Sequence, residues 1–200
     1  MTAPSHAALL AGRDIRAVVI AGSAGGVDAL LHLLPRLPKG YSLPVIVMLH
    51  VPEHRESRLA ELFSSRLALS ASEAFDKGEI CPGTVYFAGS GYHLSVEKDF
   101  RFSLSCEAPV HFARPAIDVL MESAAEAYGP HLAAVLLTGA NHDGAAGMRA
   151  IKQAGGLTIV QDPKEAQVAT MPEQAIKMQA PDFVLALPDI GDLLLLLEKK

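Results

Sequence analysis

The stretch Ile15-Arg16-Ala17-Val18-Val19-Ile20-Ala21, continued by Gly22-Ser23-Ala24-Gly25-Gly26, decides the fold. Its first half is an apolar run rich in β-branched residues, and its second half is a Gly-rich turn. Beyond the turn, Val27, Leu30, Leu31 and Leu34 recur at helical spacing until Pro35 closes the segment. The pattern predicts strand, tight turn and helix. The next unit repeats the logic. Pro44 to His50 is a continuously apolar run bounded by Pro, as expected of a strand buried on both faces of a parallel sheet. A helix is expected around Ser57 to Leu67.

The middle of the chain changes character. Thr84 to Phe87, Tyr92 to Val96 and Arg101 to Ser105 are short alternating runs, read as a β-hairpin or meander inserted in the sheet or at its edge. A helix follows Pro115 and runs to about Tyr128. Leu132 to Leu137 reads as a strand, and the turn Ala140 to Gly144 leads into a helix through Met148 and Ile151 to Ala154. Leu157 to Gln161 is a strand, Pro172 to Met178 a short helix, Phe183 to Leu187 a strand and Ile190 to Leu197 a last helix. Strands alternating with helices at these lengths give an α/β fold: a doubly wound, mostly parallel, Rossmann-like sheet with helices on both faces and a β-hairpin insertion in the middle.

Composition narrows the function classes. In 200 residues, 50% are hydrophobic and 20% charged, which fits one folded domain and excludes disorder. The net charge of −5 comes without a Lys/Arg cluster, which argues against nucleic acid and anionic membrane as partners. No apolar run approaches the roughly 18 residues of a membrane span. Met1 to Gly12 lacks the basic start of a signal peptide, so a cytoplasmic location is expected. Residues 1–13 read as a tail or linker remnant, and 14–200 as the catalytic domain. Cys81 and Cys106 fit no metal spacing or disulfide framework and read as reduced packing residues.

In open parallel sheets, ligands bind beyond the carboxyl ends of the strands. Ser23 follows the first strand there, His50 ends the second, and Asp143 lies past the strand ending near Leu137. A serine hydroxyl needs an adjacent base to become a nucleophile. Histidine suits that task at neutral pH, and a buried carboxylate on its far nitrogen fixes the tautomer. Backbone N–H groups of the new helix, notably that of Ala24, are placed to hold an oxyanion. Spacing alone leaves other readings open. A Gly-rich turn after a first strand is more often an anion cradle than a nucleophile site, as in a nucleotide- or phosphosugar-binding enzyme. Ser23 and Asp143 both suit helix N-caps. His142 is expected to face solvent, and Met148 and Ile151 to be core.

Several motifs in register go further. Ala21 to Gly26, His50-Val51-Pro52, Arg114-Pro-Ala-Ile-Asp118 and Leu137-Thr-Gly-Ala-Asn-His-Asp-Gly-Ala-Ala-Gly147 resemble, in order, the motifs of the chemotaxis (CheB-type) protein-glutamate methylesterase domain. Gly78, Pro82 to Tyr86, Ala88 to His93, Gly155-Gly156 and Met171-Pro172 extend the resemblance from about Ile15 to about Leu194. It implies Ser23 as nucleophile, His50 as base and Asp143 as triad carboxylate. The implied reaction is hydrolysis of glutamate methyl esters on the cytoplasmic helices of chemoreceptors, with deamidation of receptor glutamines as a second activity. No metal or organic cofactor is implied. His93 matches a histidine near the site's rim, although a hairpin histidine is ordinarily surface. Arg114 is either a basic contact for acidic receptor helices or a helix-start residue, and Asp118 is expected at a helix N-terminus.

Two departures bear on function. The family pattern Thr-Gly-Met-Gly is Thr138-Gly139-Ala140-Asn141 here, which changes the residues beside the site, including the oxyanion or substrate position Ala140. It leaves room for a rival reading, a docking module of the same fold with weakened chemistry. Relatives that adapt chemotaxis usually carry a receiver domain before the esterase, whereas only Met1 to about Arg13 precedes the first strand here, so the resemblance implies either control by a receiver acting in trans or a domain cut out of a longer protein.

Overall fold

The computed structural model describes residue 10 and residues 12–50 and 57–198. Most of the expected tail, and Val51-Pro52 of the second motif, lie outside the described residues. The first strand, β1 (Ala17–Gly22), leads into helix α1 (Gly26–Leu33), and β2 (Val45–Leu49) is followed by the short α2 (Leu59–Ser64). Then come β3 (Ser70–Glu73), β4 (Thr84–Phe87) and a pair of short strands, β5 (His93–Val96) and β6 (Phe102–Ser105). The rest alternates regularly: α3 (Ile117–Tyr128), β7 (Leu132–Leu136), α4 (Ala145–Gln153), β8 (Leu157–Gln161), α5 (Thr170–Met178), β9 (Phe183–Leu185) and α6 (Leu187–Leu197).

Seven strands form one sheet in the order β3-β4-β2-β1-β7-β8-β9, and every neighbouring pair is parallel. The chain winds outward from β1 in one direction through β2, then in the other from β7. The order therefore reverses beside β1, where a crevice opens at the carboxyl ends of the strands. The expected doubly wound architecture is the observed one.

Continuous apolar runs form the central strands because both faces are covered. Val18 and Ile20 point to a core with Leu30 and Leu33 of α1 and Leu193 and Leu194 of α6. Ala17, Val19 and Ala21 point the other way, to Leu120, Met121 and Ala124 of α3 and to Met148 and Ile151 of α4. The pleat thus splits one strand between two cores.

The middle of the chain differs from the sequence reading in two ways. Thr84–Phe87 does not belong to a meander; β4 is a parallel strand of the main sheet, paired with β2 on one side and β3 on the other. Four residues buried on both faces carry too little pattern to separate a sheet strand from a hairpin strand. Only β5 and β6 make the hairpin, antiparallel from His93↔Ser105 to Val96↔Phe102. It packs on α3 through Leu94, Val96 and Phe102, and Ser123 Oγ of α3 accepts the Val96 N–H at 3.1 Å. The edge strand β3, Ser-Ala-Ser-Glu, was not expected at all, since a short polar edge strand lacks the apolar signal.

At the C-terminus the last helix begins at Leu187 rather than Ile190, with Pro188 in its first turn, where a missing N–H is harmless. Cys81 and Cys106 are free, as expected, but both are exposed rather than packed. They sit on connections flanking β4 and β6, outside either core. Among the described residues, no helix is long and apolar enough to cross a membrane.

Candidate active site

The turn after β1 is fastened before any chemistry is considered. Ser23 N–H donates to Thr138 O at 2.9 Å, Gly26 N–H donates to Ser23 O at 2.8 Å, and Thr138 Oγ1 donates to Ala24 O at 2.9 Å. The turn is sharp because Gly25 takes φ +81°, and a Cβ there would stand 2.5 Å from Gln167 Oε1. Ser23 does not cap α1: the N-cap position is Gly25, without a side-chain hydrogen bond. Its hydroxyl is left for other work. Ala24, next to it, is exposed at the mouth of the turn.

His50 leaves β2 one strand away, with its N–H 3.4 Å from Gly22 O. Its Nδ1 lies 3.2 Å from Ser23 Oγ, and its Nε2 lies 2.7 Å from Asp143 Oδ2. An ionised carboxylate can only accept, so Nε2 carries the proton and donates to Asp143. That leaves Nδ1 with a lone pair to accept the Ser23 hydroxyl. Asp143 is buried, while the His50 ring keeps a partly open edge.

Asp143 does not cap the helix it precedes; the N-cap of α4 is Gly144. It reaches across to α3 instead. Oδ2 also accepts the Ile117 N–H at 2.7 Å, and Oδ1 accepts the Asp118 N–H at 2.9 Å. Burial pushes the Asp143 carboxyl up, but the hydrogen bond from His50 and the two backbone N–H groups outweigh it and hold the group below its ordinary value. The site therefore keeps a carboxylate beside the imidazole at neutral pH.

The departing segment supports this arrangement from behind. Met171, fully buried, donates its N–H to Gly139 O at 2.9 Å, and Gly139 N–H donates to Val168 O at 3.1 Å. Asn141 Oδ1 accepts the Asp143 N–H at 3.3 Å, and Ala140 is exposed. His142 is exposed as expected, but its Nε2 lies 3.0 Å from His111 Nδ1.

The remaining candidates sit one layer out. His93 is not a surface residue: it is 1% exposed, with Nε2 3.1 Å from Ala108 O and Nδ1 accepting the Ala116 N–H at 3.2 Å. It braces the segment that delivers α3. Arg114 Nη1 donates to Cys106 O and Glu107 O at 3.1 and 3.0 Å, drawing the two ends of the 106–114 loop together. Asp118 is at a helix N-terminus as expected, though it serves α4, not its own helix. A cavity of about 690 Å³ opens against His50, walled by Val27, Leu59 and Leu62 with Arg58 and Arg66 at its edge.

His111, Asp118 and Asp143 bring ligand atoms within 4.8 Å of one another, a spacing that a metal ion could use. The carboxylate oxygens are already engaged by four backbone N–H groups and by the His50 and His111 rings. The cluster is knit by hydrogen bonds.

The described site can be set beside known proteins. The chain matches the family described as CheB methylesterase over residues 18–194. It is 42% identical over 186 residues to a putative protein-glutamate methylesterase/protein-glutamine glutaminase of Leptospira interrogans serovar copenhageni, covering 93% of this chain and 96% of that one. It is 38% identical over 174 residues to the protein-glutamate methylesterase FrzG of Myxococcus xanthus, covering 87% of this chain and 52% of that one. The chain thus spans nearly all of the first relative and about half of the second. The crystal structure of the Thermotoga maritima CheB methylesterase catalytic domain superposes with a TM-score of 0.86 at 34% identity, covering 91% of this chain and 98% of that one.

Proposed function

Because the chain belongs to the CheB methylesterase family, we propose that it hydrolyses methyl esters of glutamate side chains, with Ser23 as nucleophile, His50 as base and Asp143 as orienting carboxylate. The observation that carries this reading is the unbroken line from Ser23 Oγ through His50 Nδ1 and Nε2 to Asp143 Oδ2. Ser23 Oγ attacks the ester carbonyl carbon as its proton passes to His50 Nδ1. The imidazolium so formed faces the buried carboxylate, which stabilises it. The oxyanion is taken up at the turn after β1, with the Ala24 N–H as donor. Collapse of the adduct expels methoxide, which takes the proton from Nδ1 and leaves as methanol. Water, deprotonated by the same nitrogen, then frees the glutamate carboxylate from Ser23. A glutamine side chain would follow the same course with ammonia as leaving group.

The substrates proposed are the methylated cytoplasmic helices of chemoreceptors, with a receiver domain as regulator and the cytoplasm as location. Methanol release from methylated receptor tests the reaction. Ser23→Ala should abolish it, and a fluorophosphonate should label wild type at Ser23. Equal methanol release by wild type and Ser23→Ala would refute the mechanism.

A further inference from the structure

Two helix N-termini meet behind His50, and each presents backbone N–H groups that its own helix cannot satisfy. Those of α3 are taken by Asp143, the residue two before α4: Ile117 N–H by Oδ2 and Asp118 N–H by Oδ1. Those at the start of α4 are taken by Asp118, the second residue of α3. Asp118 Oδ1 accepts the Gly144 N–H at 2.9 Å and the Gly147 N–H at 2.7 Å. Each carboxylate caps the other's helix. The peptide joining Asp143 to Gly144 is therefore held from both sides, by its carboxylate on the Asp118 N–H and by its N–H on the Asp118 carboxylate.

We propose that Asp118 is a positioning residue of the triad, fixing the backbone that carries Asp143 and through it the Asp143–His50 hydrogen bond. The inference rests on the catalytic reading of Ser23, His50 and Asp143. Asp118 is 4% exposed and its carboxylate is engaged by Gly144, Gly147 and His111, so it acts through Asp143. A neutral Asn would reach the same two N–H groups without burying a second carboxylate beside the first. Burial drives the Asp118 carboxyl up, and nearby Asp143 adds to this, so the cap is held against a standing cost. Two features offset that cost: the pair of N–H donors and His111, whose Nε2 lies 3.2 Å from Asp118 Oδ2. The gain is rigidity where Gly144, at φ +96°, would otherwise leave the chain loose beside a reacting group.

The test is the rate at which a fluorophosphonate labels Ser23, measured on protein whose folded fraction is set by circular dichroism. Asp118→Ala should slow labelling by about 100-fold, the scale of a 1 Å misplacement at a reacting centre. Asp118→Asn keeps an oxygen for both N–H groups and should stay within about fivefold of wild type. If Asp118→Ala does not fold, Asp118→Ser, too short to hold Gly144 and Gly147 together, should show the same loss. In methanol release the loss should fall on kcat with KM unchanged, because Asp118 does not meet substrate. Labelling of the folded Ala or Ser variant within about threefold of wild type would overturn the inference, and so would an Asn variant as slow as Ala. The Ser23 reading itself stands or falls on wild-type labelling, and the substrate on wild-type methanol release.

Discussion

Replacing Asp143 by Asn separates the charge of the proposed triad carboxylate from its shape. Among the described residues the carboxylate accepts three hydrogen bonds: Ile117 N–H and His50 Nε2–H on Oδ2, and Asp118 N–H on Oδ1. A carboxamide has one oxygen. The orientation that keeps more bonds places that oxygen at the Oδ2 position, and its NH2 then faces the Asp118 N–H, donor against donor. A buried donor left this way costs about 1–3 kcal/mol, and loss of the charge-assisted bonds raises the total to about 2–4 kcal/mol. For a domain of this size that lowers Tm by roughly 5–12 °C. The same orientation preserves the His50 tautomer, so the catalytic loss comes from the missing charge. An imidazolium and a carboxylate about 4 Å apart attract by about 4 kcal/mol at an effective dielectric of 20, so kcat should fall by about 10³-fold.

The pH dependence carries a second check. Asp143 is held below its ordinary value in the folded protein, against about 3.9 when unfolded. Its ionisation therefore contributes stability that is complete above about pH 4 and is lost as pH falls through the lowered folded value. A protonated Asp143 meets the same donor conflict as Asn. The stability gap between wild type and Asp143→Asn should be full at pH 7 and close below about pH 4. Methanol release and urea denaturation across pH read both effects. A loss of kcat under about tenfold, or a stability gap that stays constant down to about pH 3, would refute the reasoning.

Gly144→Ala forces a side chain onto a backbone at φ +96°, with its Cβ 2.7 Å from Leu136 Cδ1 and 2.9 Å from Ile117 Cγ2. It should lower stability by about 2–3 kcal/mol and reduce kcat with it, as thermal unfolding and methanol release will show. Phe112, fully exposed at φ 61° in a tight turn closed by mutual Val110 and Ala113 hydrogen bonds, carries the opposite expectation. Phe112→Asn gives up no buried contact and suits the left-handed backbone, so the urea midpoint should rise by the equivalent of about 1 kcal/mol with m unchanged.

The fold was legible where burial is complete. β1, β2 and β7 are apolar along their whole length and β8 is buried along all of it, because helices cover both faces, and such runs stand out in any composition. Legibility fails where the pattern is short or the surroundings supply the stability. Ser70–Glu73 is a strand because β4 offers it a ladder, and its own side chains, partly or wholly exposed, carry no trace of that. Thr84–Phe87 and Phe102–Ser105 look alike as tetrapeptides, yet one lies inside the sheet and the other in a hairpin packed on α3. The burial of His93 has the same origin, since its partners Ala108 and Ala116 lie 15 and 23 residues along the chain.

At the site, the strand-end positions of Ser23, His50 and Asp143 follow from topology, which is why a parallel sheet read from apolar runs was enough to bring them to one edge. Their contacts do not follow from it. A local reading gives Asp143 to the helix it precedes, because N-capping is the short-range role of an aspartate before a helix. The carboxylate instead spans 25 and 26 residues to cap α3, while Asp118 caps α4 in exchange. Only packing α3 against α4 makes that exchange possible. It also settles how the Ala140-Asn141 departure should act. Ala140 is exposed, and Asn141 donates no backbone strain of the left-handed kind but accepts the Asp143 N–H. Asp143 is thus anchored by α3, by Asp118 and by Asn141, and not by the residue at position 140. A change there falls on an exposed residue and leaves the carboxylate where it is. Its effect belongs in substrate fit, and therefore in KM, before it belongs in the turnover of the triad.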